Sequence, residues 1–259
     1  MSGQEAVSPK LAGNEPVLEV QNLSITFPGE NGSLIALENI SFCLFPQEFV
    51  CLLGPSGSGK STLLRAVAGL LKPDSGKVIF SGSQQPRISL VFQDANLMPW
   101  RTVLENITLP LLLQGTPAEE ARTRAKEWID LVGLSGFEDA WPAELSGGMA
   151  QRVAIARSLI QDPDLLLLDE PFGALDALTR EKMGAELLNL WQARRKTVLM
   201  VTHSISEALL LSDRVLVLTP RPGRISLDLP IDLPRPRQEE IRYTEQFGAL
   251  ARKLKSAIR

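Results

Sequence analysis

Residues 54–62 read GPSGSGKST and carry the complete GxxxxGK[ST] spacing of a loop that wraps phosphate groups. The loop follows the apolar run FVCLL and opens a helical pattern, which is the context that this chemistry requires. Glycines let the backbone curl around phosphates, and N–H groups at the helix start supply partial positive charge. We expect Lys60 to reach the terminal phosphates and the Ser61 hydroxyl to bind Mg²⁺. The predicted phosphate-loop contacts are Gly54, Pro55, Ser56, Gly57, Ser58, Gly59, Lys60, Ser61 and Thr62.

Two adjacent carboxylates end the apolar run LLLLDE at residues 165–170. A buried strand there would deliver both side chains at its carboxyl end, where open α/β sheets place their ligands. Asp169 is placed to hold Mg²⁺, and Glu170 is placed to polarise an attacking water. Taken alone, Asp-Glu after a strand also fits the N-cap of a helix.

A second anion site is predicted at LSGGMAQR, residues 145–152. Ser146, Gly147 and Gly148 precede a helical run, so the backbone N–H groups of a helix start are accessible there. A helix cap explains Ser-Gly-Gly, but it gives no reason for the whole eight-residue string.

His203 follows the apolar run TVLMVT and is the only histidine in the chain. A lone histidine is more often a structural residue than a functional one. The two cysteines, Cys43 and Cys51, have the spacing of neither a metal site nor a disulfide framework, which favours a reducing compartment.

The elements that must position these residues follow from hydrophobic periodicity. Residues 17–53 alternate short apolar runs with turns, which predicts antiparallel strands leading into a buried one. Between about residues 94 and 160 the spacing becomes helical, with Ala121, Ala125, Trp128 and Val132 on one face and Leu131 beside them. Strand signals resume at LLLLDE, TVLMVTH and RVLVLTP, separated by a helical stretch. The pattern predicts an α/β fold with a largely parallel sheet and covering helices.

Composition limits the possible functions. The chain has 259 residues, 44% of them hydrophobic, and a net charge of −3, which disfavours a broad nucleic-acid surface. The N-terminus lacks a signal-peptide pattern, and no apolar run approaches the ~20 residues that span a bilayer. Seven Lys/Arg between residues 235 and 259 fit a solvated helix face better than a membrane-binding surface.

In motif order, residues 17–219 resemble the nucleotide-binding subunit of the ABC transporter superfamily. The resemblance covers the phosphate loop, LSGGMAQR as the signature, LLLLDE as the Walker B strand, GALD at residues 173–176 as the D-loop, Gln93 as the Q-loop and His203 as the H-loop. It implies a P-loop NTPase of ABC type, with a mixed sheet core, an N-terminal antiparallel β subdomain and an inserted α-helical subdomain. The implied activity is ATP hydrolysis with Mg²⁺.

The same resemblance implies further residue roles. His203 would contact the γ-phosphate, Gln93 would act in catalysis and bind Mg²⁺, and Phe27 would stack on adenine, although a core aromatic is the alternative for Phe27. Two subunits would face each other head to tail, so that each signature, with Ser146, Gly147 and Gly148, completes the ATP site of its partner.

Several strings, among them VFQDANLMPWRTVLENI and RPGRI, resemble ATPases of the nitrate, sulfonate and taurine importer group. This implies a homodimer bound to two integral membrane permease subunits, peripheral on the cytoplasmic face of the inner membrane. An extracytoplasmic solute-binding protein would take part indirectly, and nucleic acid is not expected. An importer for a vitamin or pyrimidine precursor and a soluble ABC ATPase without transport are the alternatives. Trp100 is the candidate permease anchor, with a buried aromatic as the other interpretation.

These expectations divide the chain into a disordered leader (1–16), an ABC ATPase domain (17–221) with the helical subdomain at about 94–160, and a C-terminal extension with a final helix (222–259). Three positions depart from the commonest family pattern: Met149, Gly173 and Ser204. None of them removes a predicted phosphate or metal ligand.

Overall fold

The computed structural model describes residues 15–29, 32–82, 86–173 and 175–258. Most of the predicted leader, residues 1–14, lies outside the described residues. The chain divides into two compact units, unit 1 (Met1–Gln85 and Thr197–Arg259) and unit 2 (Pro86–Lys196). The strands are β1 (Leu18–Gly29), β2 (Gly32–Leu44), β3 (Phe49–Leu53), β4 (Ser75–Phe80), β5 (Ile88–Val91), β6 (Leu165–Asp169), β7 (Thr197–Thr202), β8 (Arg214–Leu218) and β9 (Ile225–Pro230). The helices are α1 (Lys60–Val67), α2 (Val103–Leu113), α3 (Ala118–Leu131), α4 (Gly147–Leu159), α5 (Ala177–Arg194), α6 (Ile205–Leu211) and α7 (Glu245–Ala257).

Unit 1 begins with a three-stranded antiparallel sheet in the order β2-β1-β4. Alternate residues of β1, among them Leu23 and Ile25, are buried, while the residues between them are partly exposed. This alternation is typical of a sheet with one face on the core. The antiparallel start predicted from the sequence is confirmed.

The second sheet of unit 1 has β3 at its centre, hydrogen-bonded in parallel to β7 on one side and β8 on the other. All three strands are buried along their whole length, as expected for a parallel sheet covered on both faces. β9 adds to β8 in antiparallel orientation. The Pro-rich composition of residues 221–238 gave no prediction of this strand.

Unit 2 contains the parallel pair β5 and β6 and the helices α2 to α5. The helical periodicity of residues 121–132 is confirmed, because Ala121, Ala125, Trp128 and Val132 are all buried. Leu131, beside them in sequence, is half exposed. In the described ranges, every helix of the protein is too short or too polar to cross a bilayer.

A network of backbone contacts fixes the loop before α2. Thr102 caps the helix in a reciprocal capping box with Glu105. The buried carboxamide of Asn106 accepts a hydrogen bond from the Met98 N–H (2.8 Å) and donates to the carbonyls of Met98, Arg101 and Thr102. Residues 98–102 are therefore bound to α2 as one piece.

Neither cysteine is positioned for redox or metal chemistry. Cys51 is fully buried in β3 and Cys43 is partly buried in β2, and both are free thiols. Burial is the main cause that raises the pKa of each thiol, which keeps them protonated and unreactive.

The C-terminal segment corrects the interpretation of the basic tail as one solvated helix face. Arg235 pairs with Asp213 and donates to the Leu211 carbonyl, while Arg237 is buried. Among the described basic residues of this tail, those that lie exposed on a helix are Arg252, Lys253 and Lys255 of α7. The first basic residues of the tail therefore have an internal, structural role.

Arg237 joins the segment after β9 to the end of α6. Its guanidinium donates to four carbonyls, those of Leu209 (2.8 Å), Ser212 (2.5 Å), Ile231 (3.1 Å) and Leu233 (3.3 Å). Burial lowers the pKa of Arg237 to about 10, so the side chain is still charged at neutral pH. The segment 231–237 is thus bound to the helix that follows His203.

Replacing Arg237 with methionine should destabilise the protein by about 2–3 kcal/mol, because four carbonyls lose their common donor. The thermal midpoint of unfolding measures the loss. Arg252→Met, which removes an exposed arginine of α7, is the matched control and should change stability by less than about 0.5 kcal/mol. Equal midpoints for the two variants would contradict a structural role for Arg237.

Candidate nucleotide site

The phosphate loop connects the buried strand β3 to α1 in unit 1. Lys60, the first residue of α1, is 5% exposed, and its Nζ donates to the carbonyls of Gly54 (3.1 Å) and Pro55 (2.9 Å). The ammonium group is therefore held over the start of the loop. A cation in this position, beside the N–H groups of the first turn of α1, suits a bound polyphosphate.

Two glycines allow the loop to close tightly. A Cβ on Gly54 would lie 2.9 Å from Ser58 Oγ and 3.0 Å from the Leu218 carbonyl oxygen. Gly59 has a φ of +93°, and a Cβ there would lie 2.6 Å from Leu37 Cδ2. Any larger residue at either position would push the loop away from its supporting strands.

His203 lies at the same sheet edge as the phosphate loop. β3 and β7 are parallel, with Leu53 in register with Thr202. The next residues, Gly54 and His203, therefore leave the sheet side by side on neighbouring strands, about 4.8 Å apart in the pairing direction. The side chain of His203 is exposed at this edge.

The turn that carries His203 is fixed by hydrogen bonds on its C-terminal side. Thr202 Oγ1 donates to the Glu207 carboxylate and accepts a hydrogen bond from the Ser204 N–H (3.0 Å). Ser204 in turn caps α6 by accepting the Glu207 N–H (3.2 Å). Serine at this position, where the family commonly has aspartate, still provides the helix cap.

Phe27 lies partly exposed near the end of β1, directly opposite Leu34 of β2. Leu34 is 41% exposed, so the pair presents an apolar surface. Two residues before Phe27, Ile25 pairs with Leu37, which also packs against Gly59. The strand that carries Phe27 is thus connected to the phosphate loop through Leu37, and Phe27 is not part of the buried core.

In unit 2, the parallel strands β5 and β6 place three candidate residues at one edge. Val91 is in register with Leu168, so the residues that follow, up to Gln93 and Glu170, leave the sheet together. Asp169 is 5% exposed at the end of β6. Glu170 adopts a left-handed conformation (φ +44°) that turns the chain sharply after the strand.

Gly173 lies against both polar side chains of this edge. A Cβ on Gly173 would be 3.3 Å from Gln93 Nε2 and 3.6 Å from Glu170 Oε2, so the amide and the carboxylate converge on one point. This contact was not predicted from the sequence. Glycine here, where the family commonly has serine, leaves space next to the carboxylate that is expected to polarise water.

The signature residues lie at the start of α4. Ser146 caps the helix by accepting the Met149 N–H (3.3 Å), and both Ser146 and Gly147 are exposed. Gly148 is buried and packs against Thr179, since a Cβ on Gly148 would lie 2.9 Å from Thr179 Cγ2. The helix start is thus accessible on one side and packed against the beginning of α5 on the other.

The start of α5 is capped by Asp176, whose carboxylate accepts the Thr179 N–H (3.1 Å). Hydrogen bonds from Thr179 lower the pKa of Asp176, which keeps the cap ionised. Because Thr179 also contacts the Gly148 position, the D-loop and the signature belong to one local structure. Gln151 of α4 donates to the Phe92 carbonyl (3.3 Å) and ties this structure to the segment before Gln93.

The structure therefore brings the candidate residues together in groups within each unit. In unit 1, the phosphate loop and His203 share a sheet edge, with Phe27 connected through Leu37. In unit 2, Gln93, Asp169 and Glu170 share another edge, while Ser146, Gly147 and Gly148 form an exposed helix start. The contacts of Arg221 and Gly223 with the phosphate loop were not predicted.

The predicted Mg²⁺ ligands are oxygen donors: the Ser61 hydroxyl, the Gln93 side-chain amide and the Asp169 carboxylate. Within the described ranges, no cluster of three or more His, Cys, Asp or Glu side chains could hold a metal alone. The donor types in each unit, the Ser61 hydroxyl in unit 1 and the Gln93 and Asp169 oxygens in unit 2, fit Mg²⁺, which prefers oxygen and is bound by one or two protein groups together with substrate phosphates.

Comparisons with known proteins agree with this geometry. The family model described as ABC transporter matches residues 37–173. The chain is 44% identical to the nitrate import ATP-binding protein NrtD of Synechocystis sp. over 93% of this chain and 95% of the relative. It is 51% identical to the aliphatic sulfonates import ATP-binding protein SsuB 2 of Streptomyces avermitilis, over 86% and 84% of the two chains.

A solved structure is also similar: the dimeric, post-hydrolysis ATP-binding cassette MJ0796 bound to ADP and Pi. The TM-score is 0.74 at 35% sequence identity, covering 83% of this chain and 99% of the other. With its phosphate loop, carboxylate pair and capped signature helix, and with these relatives matched over most of its length, the chain belongs to the ABC transporter family.

Proposed function

We propose that this chain is the ATP-hydrolysing subunit of an ABC importer that takes up a small anionic solute through a membrane permease. The observation that carries the proposal is the register of the parallel strands, which places His203 beside the phosphate loop in unit 1 and Glu170 beside Gln93 in unit 2. The importers named for nitrate and aliphatic sulfonates among the relatives support this solute class.

In this proposal the phosphate loop holds the nucleotide. The residues 54–62 surround the phosphates with backbone N–H groups, and Lys60 adds the charge that the terminal phosphates need. Phe27 stacks on the adenine ring, with Leu34 extending the apolar surface. Ser61, Gln93 and Asp169 would hold Mg²⁺, which neutralises charge on the phosphate oxygens.

Glu170 accepts the proton of the attacking water in this proposal. Its strained backbone conformation directs the carboxylate to the same point as the Gln93 amide, which helps to position the water. His203 donates a hydrogen bond to the γ-phosphate and stabilises the charge that develops there. Glu170 and His203, the residues proposed for hydrolysis, therefore each follow directly after a strand, which fixes their positions.

The exposed signature helix start is proposed to act on the ATP of a second copy of the chain. Ser146 and Gly147 are exposed, so the positive end of the α4 dipole is accessible to an anion bound by another subunit. The dimeric state of the similar cassette supports this arrangement. ATP binding then closes the dimer, and hydrolysis with phosphate release lets it open.

The permease is proposed to dock in a groove of unit 2 of about 490 Å³. Its lining comes from β5, α2, the segment between them and the C-terminal end of α4. It is mainly apolar, with Leu90, Phe92, Met98, Leu109, Pro110 and Leu113 as its apolar members. Leu113 is 79% exposed at the rim, and Trp100, which lies between Met98 and Arg101, two residues bound by Asn106, is 68% exposed. Trp100 is therefore not a core residue. An amphipathic helix at the cytoplasmic end of a permease has the shape and apolar face to fill this groove.

The transporter assignment is tested by affinity purification of Glu170→Gln from detergent-solubilised membranes, with mass spectrometry of the proteins that accompany it. We expect an integral membrane permease to be recovered with the chain. Recovery from the soluble fraction alone, with no membrane partner, would contradict the importer and leave a soluble ABC ATPase.

Trp100→Ala and Leu113→Gln should each reduce permease recovery in this experiment by at least about tenfold, because exposed aromatic and aliphatic anchors carry most of the binding energy. ADP affinity should be unchanged. Leu70→Gln, an exposed leucine of unit 1 (64% exposed), is the control and should leave recovery at the wild-type level. Loss of ADP binding together with permease binding would assign Trp100 a structural role instead.

A further inference from the structure

The turn between β8 and β9, residues 219–224, lies against the phosphate loop in unit 1. Its ends are joined by the Thr219 N–H to the Arg224 carbonyl (2.9 Å). Gly223 pairs with β2, donating to the Ala36 carbonyl (2.9 Å) and accepting the Glu38 N–H (3.0 Å). The turn is therefore fixed to a strand of the core and is not a free surface loop.

Two residues of this turn contact neighbouring carbonyls on the outer side of the phosphate loop. Gly223 packs so closely that a Cβ would overlap the Ser58 carbonyl oxygen. Arg221 Nη2 donates to the Gly57 carbonyl (3.2 Å). The loop is thus supported from behind by a backbone contact and by a positively charged side chain.

The charge of Arg221 is not neutralised by an acidic neighbour. Arg221 is exposed, and no carboxylate in the described part of the chain pairs with it. Arg224 in the same turn differs, because its guanidinium pairs with Glu38. Of the two arginines in this turn, Arg221 alone offers a net positive charge to the phosphate loop.

This contact affects the shape of the phosphate loop. Arg221 holds the Gly57 carbonyl, and the Ser58 N–H of the same peptide group donates to the Pro55 carbonyl (3.3 Å), so the contact stabilises the curl of the loop around its phosphate site. The guanidinium also lies 3.2 Å from the Gly57 carbonyl oxygen, which is much closer than the ~8 Å over which physiological salt screens a charge. Both effects favour a polyphosphate over an uncharged ligand.

We propose that Arg221 is a positioning residue of the nucleotide site, which strengthens the binding of the nucleotide phosphates by holding the Gly57 carbonyl and adding positive charge behind the loop. This rests on the proposed role of residues 54–62 as the phosphate site. Arg221 acts through the loop and is not itself placed on the reacting atoms.

The test compares Arg221→Gln, Arg221→Lys and Arg224→Gln with the wild-type chain by calorimetric titration with ADP and with AMP. Arg221→Gln should weaken ADP binding about fivefold, the size expected for one charge at this distance in a hydrated site. The loss should be smaller for AMP and should shrink at high salt. Arg221→Lys should recover most of the ADP affinity, and Arg224→Gln should bind ADP like the wild type.

Several outcomes overturn the proposal. One is wild-type ADP affinity in Arg221→Gln at low salt, and another is an equal loss in Arg224→Gln. A loss of affinity that is the same for ADP and AMP, is not rescued by lysine and accompanies a lower thermal midpoint would show that Arg221 only stabilises the turn.

If the wild-type chain itself fails to bind ADP, the phosphate-site assignment fails. If wild-type binding is lost in Lys60→Ala but kept in Arg221→Gln, only the role of Arg221 fails.

Discussion

Replacing Glu170 with glutamine is expected to reduce ATP turnover by about 10²- to 10⁴-fold while leaving ATP binding intact. Glutamine has nearly the same shape as glutamate, but its amide cannot accept the proton of the attacking water. The side chain would still converge with Gln93 near Gly173, so the local structure should be preserved. Steady-state phosphate release measures turnover, and calorimetry with ATP measures binding.

The same variant should accumulate as an ATP-bound dimer, because the step that reopens the dimer is blocked. Size-exclusion chromatography with and without ATP detects this change. Glu127→Gln, an exposed glutamate of α3, is the matched control and should turn over ATP like the wild type. Turnover by Glu170→Gln within a few-fold of the wild type would remove Glu170 from its assigned role.

The second large effect is expected for Lys60→Ala, which should weaken ADP and ATP binding by about 100-fold. The substitution removes the charge-assisted hydrogen bond that we propose between Lys60 and the terminal phosphates, and such bonds to charged groups are worth about 1.5–3 kcal/mol. It also removes the two hydrogen bonds from Nζ to the Gly54 and Pro55 carbonyls. Titration calorimetry with ADP gives the affinity.

Loss of binding could also follow from a disordered loop, so the thermal midpoint without nucleotide must be compared as well. Lys72→Ala, an exposed lysine after α1, should keep both affinity and stability. An ADP affinity of Lys60→Ala equal to that of the wild type would contradict the assignment of Lys60.

Local sequence signals predicted the features that depend on short-range physics. The apolar runs before Gly54 and His203 predicted two strands, and the glycine spacing of residues 54–62 predicted the turn that follows the first of them. That these turns share one edge follows from parallel pairing, which the βαβ pattern predicted. The helical face around Ala125 and Trp128 was equally local.

Features that depend on contacts between distant segments were not predictable in this way. The convergence of Gln93, Glu170 and Gly173 needs the register of β5 and β6, which no single segment encodes. Arg237 looked like part of a solvated basic tail, yet four carbonyls from two segments surround it. Trp100 could not be assigned to core or surface from sequence, because tryptophan is common in both.

One helix of unit 2 connects the groove proposed for the permease to the signature. Arg157, near the end of α4, lines the groove and donates to the Ala95 and Asn96 carbonyls, while Gly147 begins the same helix. Ten residues of helix separate them, a distance of about 15 Å. A tilt of about 10° applied at the groove end therefore moves the helix start by about 2–3 Å, as a rigid lever would. That displacement is enough to make or break a hydrogen bond, so in the proposed dimer a helix that pushes on the groove would change the contact between the signature and the partner's nucleotide.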